Sequence, residues 1–148
     1  MRKFALAAVA GVAALTALFT PAVASATPGR GVSATVIAQW TVGNTDYVLR
    51  KITIAPGSPT SPGTTGWHSH EGNLYGKVLS GTLTHYKSDC SVDGVYNKGD
   101  SIMEPAGADH VHEGRNEGTT PMVLEVLYVL PHGAPLSDDA PNPGCSFD

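Results

Sequence analysis

An all-β domain, a sandwich or a barrel, is what the 148-residue sequence predicts, and three observations carry that expectation. Short alternating or apolar runs recur at roughly 8–12-residue spacing with Gly, Pro, Asn and Asp between them, as strands joined by turns do. After the N-terminal region, no stretch keeps a 3.6-residue apolar period long enough for a helix. Residues 123–130 are apolar on both faces except at Glu125, which suits a strand covered on both sides.

The N-terminal region is set apart by its pattern. Arg2 and Lys3 precede a nearly unbroken apolar run from Phe4 to Phe19, and Pro21 and Ala24-Ser25-Ala26 follow. That is the order of a secretory signal with a small-x-small cleavage site. The run is shorter than the roughly 20 apolar residues that span a bilayer. Residues 1–26 are therefore predicted to be a signal peptide, and 27–148 a secreted single domain with no membrane attachment after cleavage.

Within that domain the strands follow in order. Residues 32–42 and 46–55 flank the hairpin-like break Gly43-Asn44-Thr45, and a Pro/Gly/Ser/Thr loop covers 56–66. Residues 74–79 and 82–87 flank Ser80-Gly81, and 100–104 ends at Pro105. Residues 109–115 and 121–130 complete a barrel over about 32–130, and a Pro-rich tail, 131–148, closes the chain.

Charge and cysteine content narrow the function. Without Arg2 and Lys3 the chain carries seven basic against 13 acidic residues, and no basic patch, so nucleic acid is excluded as a partner. Cys90 and Cys145 are an even pair without metal-type spacing in an exported chain, which reads as a disulfide. It would close a loop of about 55 residues and order the tail, contributing about 4 kcal/mol in the chain-entropy account.

Four of the six histidines fall in two similar phrases, Trp67-His68-Ser69-His70-Glu71-Gly72-Asn73 and Asp109-His110-Val111-His112-Glu113-Gly114-Arg115-Asn116. Residues two apart on a strand point to one side, so each phrase aims two imidazoles into one cavity. Two such strands converge on a metal ion, for which imidazole is the commonest ligand. A zincin helix is excluded because neither His-Glu has a histidine at the required spacing. Glu71 and Glu113 directly follow the histidines, so alternation turns them away. His85 and His132 are expected on the surface.

These phrases resemble the motifs of the cupin family. His68, His70 and Gly81 match its first motif, and Gly99, Pro105, Gly107 and Asn116 its second. The resemblance covers about residues 32–130 and implies a jelly-roll barrel, a double-stranded β-helix, with a metal inside and a small-molecule ligand or substrate. It also implies a homodimer through edge strands. The chain departs from the motifs at three points. Gly63 stands one residue closer to His68 than the first motif asks. Leu74 occupies the position of the motif glutamate, with Tyr75 the next choice. The second motif is two residues too long between Gly107 and Asn116, so either His110 or His112 is the third histidine ligand. An insertion is tolerated better in the turn after Pro105 than in the strand. The expected ligands are thus His68, His70 and His112, with His110 as the alternative or a fourth.

Three imidazoles without a carboxylate leave the ion its full charge, which favours Fe, Zn, Cu or Ni and disfavours Mn. Three protein ligands also leave open positions, the pattern of a catalytic centre. The resemblance implies a metal-dependent enzyme of dioxygenase, isomerase or lyase type, or a non-catalytic module that captures a metal or small ligand. Glu125 and Tyr75 are the candidate catalytic groups. Tyr75, Met103 and Tyr128 are the candidates to line the pocket.

Overall fold

The computed structural model describes residues 26–147; the predicted signal peptide, apart from Ala26, lies outside the described residues. Twelve strands follow in order: β1 (Val32–Val42), β2 (Thr45–Ile54), β3 (Gly57–Ser58), β4 (Ser61–Thr64), β5 (His68–His70), β6 (Asn73–Ser80), β7 (Thr82–Lys87), β8 (Val92–Asn97), β9 (Ser101–Glu104), β10 (Gly107–Asn116), β11 (Met122–Pro131) and β12 (Asp138–Asp139). No helix occurs among the described residues.

The strands form two curled antiparallel sheets. One has the order β1-β2-β11-β6-β9. In the other, β10 is flanked on one side by β5 and β4 and on the other by β7, with β12 and β8 outside them. Sequence-adjacent strands cross repeatedly between the sheets, among them β6 to β7 through Gly81 and β9 to β10 through Pro105-Ala106. Gly81 has φ +75°, and a Cβ there would lie 2.8 Å from Met122 Cα, so only glycine makes that turn closely enough.

Alternation decides which side chains enter the barrel. Val48, Ile52 and Ile54 of β2, Leu74 and Val78 of β6, and Ile102 of β9 face inward. They join Met122, Leu124, Val126, Tyr128 and Leu130 of β11 and Leu83 of β7 in the main core. The outward face of β11 is half-buried rather than covered, as the sequence had suggested: Val123, Leu127 and Val129 keep some exposure between the flanking strands β2 and β6.

Pairings between short and distant segments escape a reading by periodicity. The expected loop over 56–66 contains β3 and β4, residues 92–97 form an unexpected strand, and the tail supplies β12. That tail is ordered because Cys90 and Cys145 are bonded, and it lies over a second small core around the fully buried Trp67. The Ala140 amide donates to the Trp67 carbonyl, and β12 pairs with β5 at Asp138–Ser69 and Asp139–His68.

Reducing this disulfide, or replacing both cysteines by serine, is expected to cost about 4 kcal/mol of stability and to speed hydrogen exchange at the Ala140 amide. Thermal unfolding and amide exchange with and without reductant measure both. An unchanged melting temperature would show that the tail holds without its bond.

Candidate metal centre

The inner face of the second sheet collects histidines by simple alternation. His68 of β5 pairs with His112 of β10, so the two share a face, and His70, two residues on, shares it too. On the other side of β10, His112 pairs with Lys87, and His85 lies two residues before Lys87 on β7. His85 therefore joins the same face. It is only 5% exposed, which corrects the expectation of a surface group; the period that buries Leu83 buries His85 as well. His132 is exposed, close to Asp46.

The first sheet adds a carboxylate. Glu104, the last residue of β9, pairs directly with Leu74 of β6, the position at which the motif glutamate was expected. Directly opposite residues of antiparallel strands have Cβ atoms about 4.5–5.5 Å apart on one face, so the acid stands next door to the motif position. Its Oε2 lies 3.3 Å from His70 Nε2 and 3.5 Å from His112 Nε2, and its Oε1 lies 3.5 Å from His85 Nε2. This corrects the expected absence of a carboxylate and removes the ground for disfavouring Mn. The available signal was again the period of two, from buried Ile102 to Glu104.

Two triads result, His68-His70-His112 and His85-Glu104-His112. In each, the donor atoms lie within 4.8 Å of one another. His68 Nδ1 is 2.8 Å from the Gly66 carbonyl, His70 Nδ1 2.8 Å from the Leu136 carbonyl, and His112 Nδ1 2.8 Å from the His110 carbonyl. A carbonyl oxygen only accepts, so each Nδ1 carries the proton and each neutral ring keeps its Nε2 lone pair for the cavity. The Nε2 atoms of His70, His85 and His112 are buried without a hydrogen-bond partner. Lone pairs facing a carboxylate repel it unless a proton or a metal cation lies between them, and this donor set fits a divalent transition metal.

Protonating His68 instead is costly. Burial, then the neighbouring His112 and His70, lowers the His68 pKa from 6.5 to about 4. Burial raises the Glu104 carboxyl; donation from His112, His70 and His85, which requires protons on their Nε2 atoms, would outweigh it and hold the carboxyl well below the usual range.

Other sequence candidates lie elsewhere. His110 is exposed at the rim of a cleft of about 320 Å³ lined by His85, Lys87, Asp93, Glu104 and His112. A register irregularity in β10 between Gly107 and His112 sets His112 opposite His68. Tyr75 is half exposed and Met103 slightly more, both on outward faces. Glu125 also faces outward, with Lys51 and Lys77 as cross-strand neighbours. Neither Glu125 nor Tyr75 joins the histidines. Tyr128 does point inward, with its ring 6.0 Å from that of His70 in an edge contact and the Arg50 guanidinium over it. Glu71 is exposed, while Glu113 is buried behind β10 against Thr64 and Arg115.

A family model described as the cupin domain matches residues 50–130. Solved structures similar in fold include an uncharacterized protein with a double-stranded β-helix domain from Klebsiella pneumoniae (21% identity, 78% of this chain and 90% of that one, TM-score 0.57). A cupin domain from Bordetella pertussis has 22% identity over 70% of this chain and 95% of that one, with TM-score 0.51. The polyketide cyclase RemF from Streptomyces resistomycificus has 16% identity over 87% and 90%, with TM-score 0.57. A search of curated proteins finds no match.

The His68 shift sets a pH dependence for the metal-free protein. The unfolded chain takes up a proton at this ring as pH falls through 6.5, whereas the folded chain does so only near 4. Stability from this group is therefore complete above 6.5 and falls as pH drops across that window. Denaturant midpoints of chelator-treated protein at stepped pH should decline there, and His68→Asn should flatten the decline. The same slope in wild type and variant would remove His68 as its source.

Proposed function

This chain belongs to the cupin domain family, and from that premise we propose that it is an exported, metal-dependent enzyme acting on a small polar molecule. Residues 1–26 are the export signal in this reading and 27–148 the mature domain; the Cys90–Cys145 bond suits an oxidising compartment. The observation that carries the reading is the tautomer lock. Three backbone carbonyls hold the protons of His68, His70 and His112 on Nδ1, so that three Nε2 lone pairs converge beside Glu104.

His68, His70 and His112 through Nε2, together with the Glu104 carboxylate, would hold the ion. A divalent transition metal bound there supplies a Lewis-acid position for a substrate oxygen. Four nitrogen and oxygen donors of this kind suit Fe, Cu, Ni, Zn and, with the carboxylate present, Mn. The chain's own residues do the rest. The carbonyls of Gly66, Leu136 and His110 orient the rings, and the Tyr128 ring closes the inner wall behind His70. The cleft at the outer side is small, near the lower end of ligand sites at about 300 Å³, and six of its eight lining residues are ionisable: His85, Lys87, Asp93, Glu104, His110 and His112. It admits a small polar molecule and positions it between Lys87 and His110 on the rim and Glu104 and His112 at the floor.

Elemental analysis of the mature protein, purified without a histidine tag, should find about one transition-metal ion per chain. His68→Ala or His70→Ala should abolish stoichiometric binding with the barrel still folded by circular dichroism. Glu104→Gln should weaken affinity roughly tenfold or more. Wild-type occupancy in both histidine variants would overturn the site.

A further inference from the structure

We propose that His85 is a ligand of the same ion, so that the centre offers four imidazoles and one carboxylate. The inference rests on the metal-centre reading above. His85 lies outside both histidine phrases, on a strand that neither motif covers at that position, yet its ring is 4.9 Å from that of His112, centroid to centroid.

Three observations converge on it. First, His85 Nδ1 lies 3.2 Å from Asp93 Oδ2, and an ionised carboxylate only accepts, so the Nδ1 proton is donated outward. The inner nitrogen is then Nε2, which is buried with no hydrogen-bond partner, as in His70 and His112. Secondly, Glu104 divides its oxygens: Oε2 faces His70 and His112 at 3.3 and 3.5 Å, while Oε1 faces His85 at 3.5 Å. A charge-assisted N–H···O bond would close to about 2.7–2.9 Å, and these separations are longer. They match instead the spacing of neighbouring donors around one ion, about 3 Å for adjacent and about 4.2 Å for opposite positions when bonds are about 2.1 Å. Thirdly, His85, Glu104 and His112 place their donor atoms within 4.8 Å of one another, and His112 belongs equally to the triad with His68 and His70. His112 is common to both triads and Glu104 reaches His70, His85 and His112, so these two residues link the five donors.

Five protein donors would leave an ion that takes six ligands one further position, and His85, Glu104 and His112 line the cleft from which it would be reached. Such a centre binds a small molecule through one atom. Chelation through two atoms would require a protein ligand to leave.

The test uses Co²⁺ as the probe in the full mature chain. Each imidazole bound through Nε2 keeps its Nδ1–H, which appears in the proton spectrum of the cobalt protein as a strongly shifted, exchangeable resonance. Wild type should show four such resonances and His85→Ala three, with Co²⁺ affinity reduced at least tenfold. Asp93→Ala should keep four but speed solvent exchange of one. Three resonances in wild type would overturn the proposal even with cobalt bound, and that count stands whether or not His85→Ala folds. Failure of wild type to bind cobalt at all would overturn the underlying metal-centre reading instead.

Discussion

A carbonyl oxygen cannot donate a hydrogen bond, and much of the architecture serves to put one such oxygen behind each of three imidazole rings. The rings of His68, His70 and His112 are not held by packing alone: each is fixed in rotation and in tautomer by a 2.8 Å contact from Nδ1. The three acceptors come from unrelated parts of the chain. Gly66 supplies one from a left-handed corner at φ +74°, where a Cβ would overlap the Thr27 carbonyl oxygen. His110 supplies another from the irregular stretch of β10. Leu136 supplies the third from the tail. A corner, a bulge and a strap thus have one common purpose, to leave Nε2 without a proton inside the barrel.

The strap is the least obvious of these. A chain end rich in proline cannot hold itself in place through a core of its own, and it lies on β5 because Cys145 is bonded to Cys90. Once there, it pairs with Ser69 and His68, caps Trp67 and brings the Leu136 carbonyl to His70. The covalent bond lies outside the metal centre, yet the orientation of one ring in that centre passes through it. Loss of the bond would release an acceptor and thereby free His70 to rotate or change tautomer, without touching any residue that faces the cavity.

The sequence made the barrel legible because its strands alternate and its turns are marked by Gly, Pro and Asn. His68, His70 and His112 were legible because two His-x-His phrases on strands must aim into a common space. His85 and Glu104 were not, although alternation with Leu83 and Ile102 held the signal. A lone histidine or glutamate on an alternating strand looks the same whether its inner face meets solvent at a barrel mouth or a buried cluster. Only the pairing of β7 with β10 and of β9 with β6 separates those outcomes, and pairing between distant segments is invisible to a local period. The short strands β3, β4 and β12 escaped for the same reason: each exists through its partner, since two to four residues carry too little pattern of their own.

Glu104 shows why reading a motif along the chain can report a loss where the site has kept its chemistry. The motif position holds Leu74, whose side chain is spent on the core. On the neighbouring strand, directly across the ladder, stands the carboxylate. Cross-strand partners project onto the same face a few ångströms apart, so a side chain as long as glutamate reaches a given point in the cavity from either strand. What the centre requires is an anion between the imidazoles, not an anion at one place in the sequence. Like β6, β9 belongs to the first sheet, whereas His68, His70, His85 and His112 belong to the second. The two sheets thus meet across the cavity at the carboxylate and the imidazoles, and an ion held there would be part of what closes the barrel.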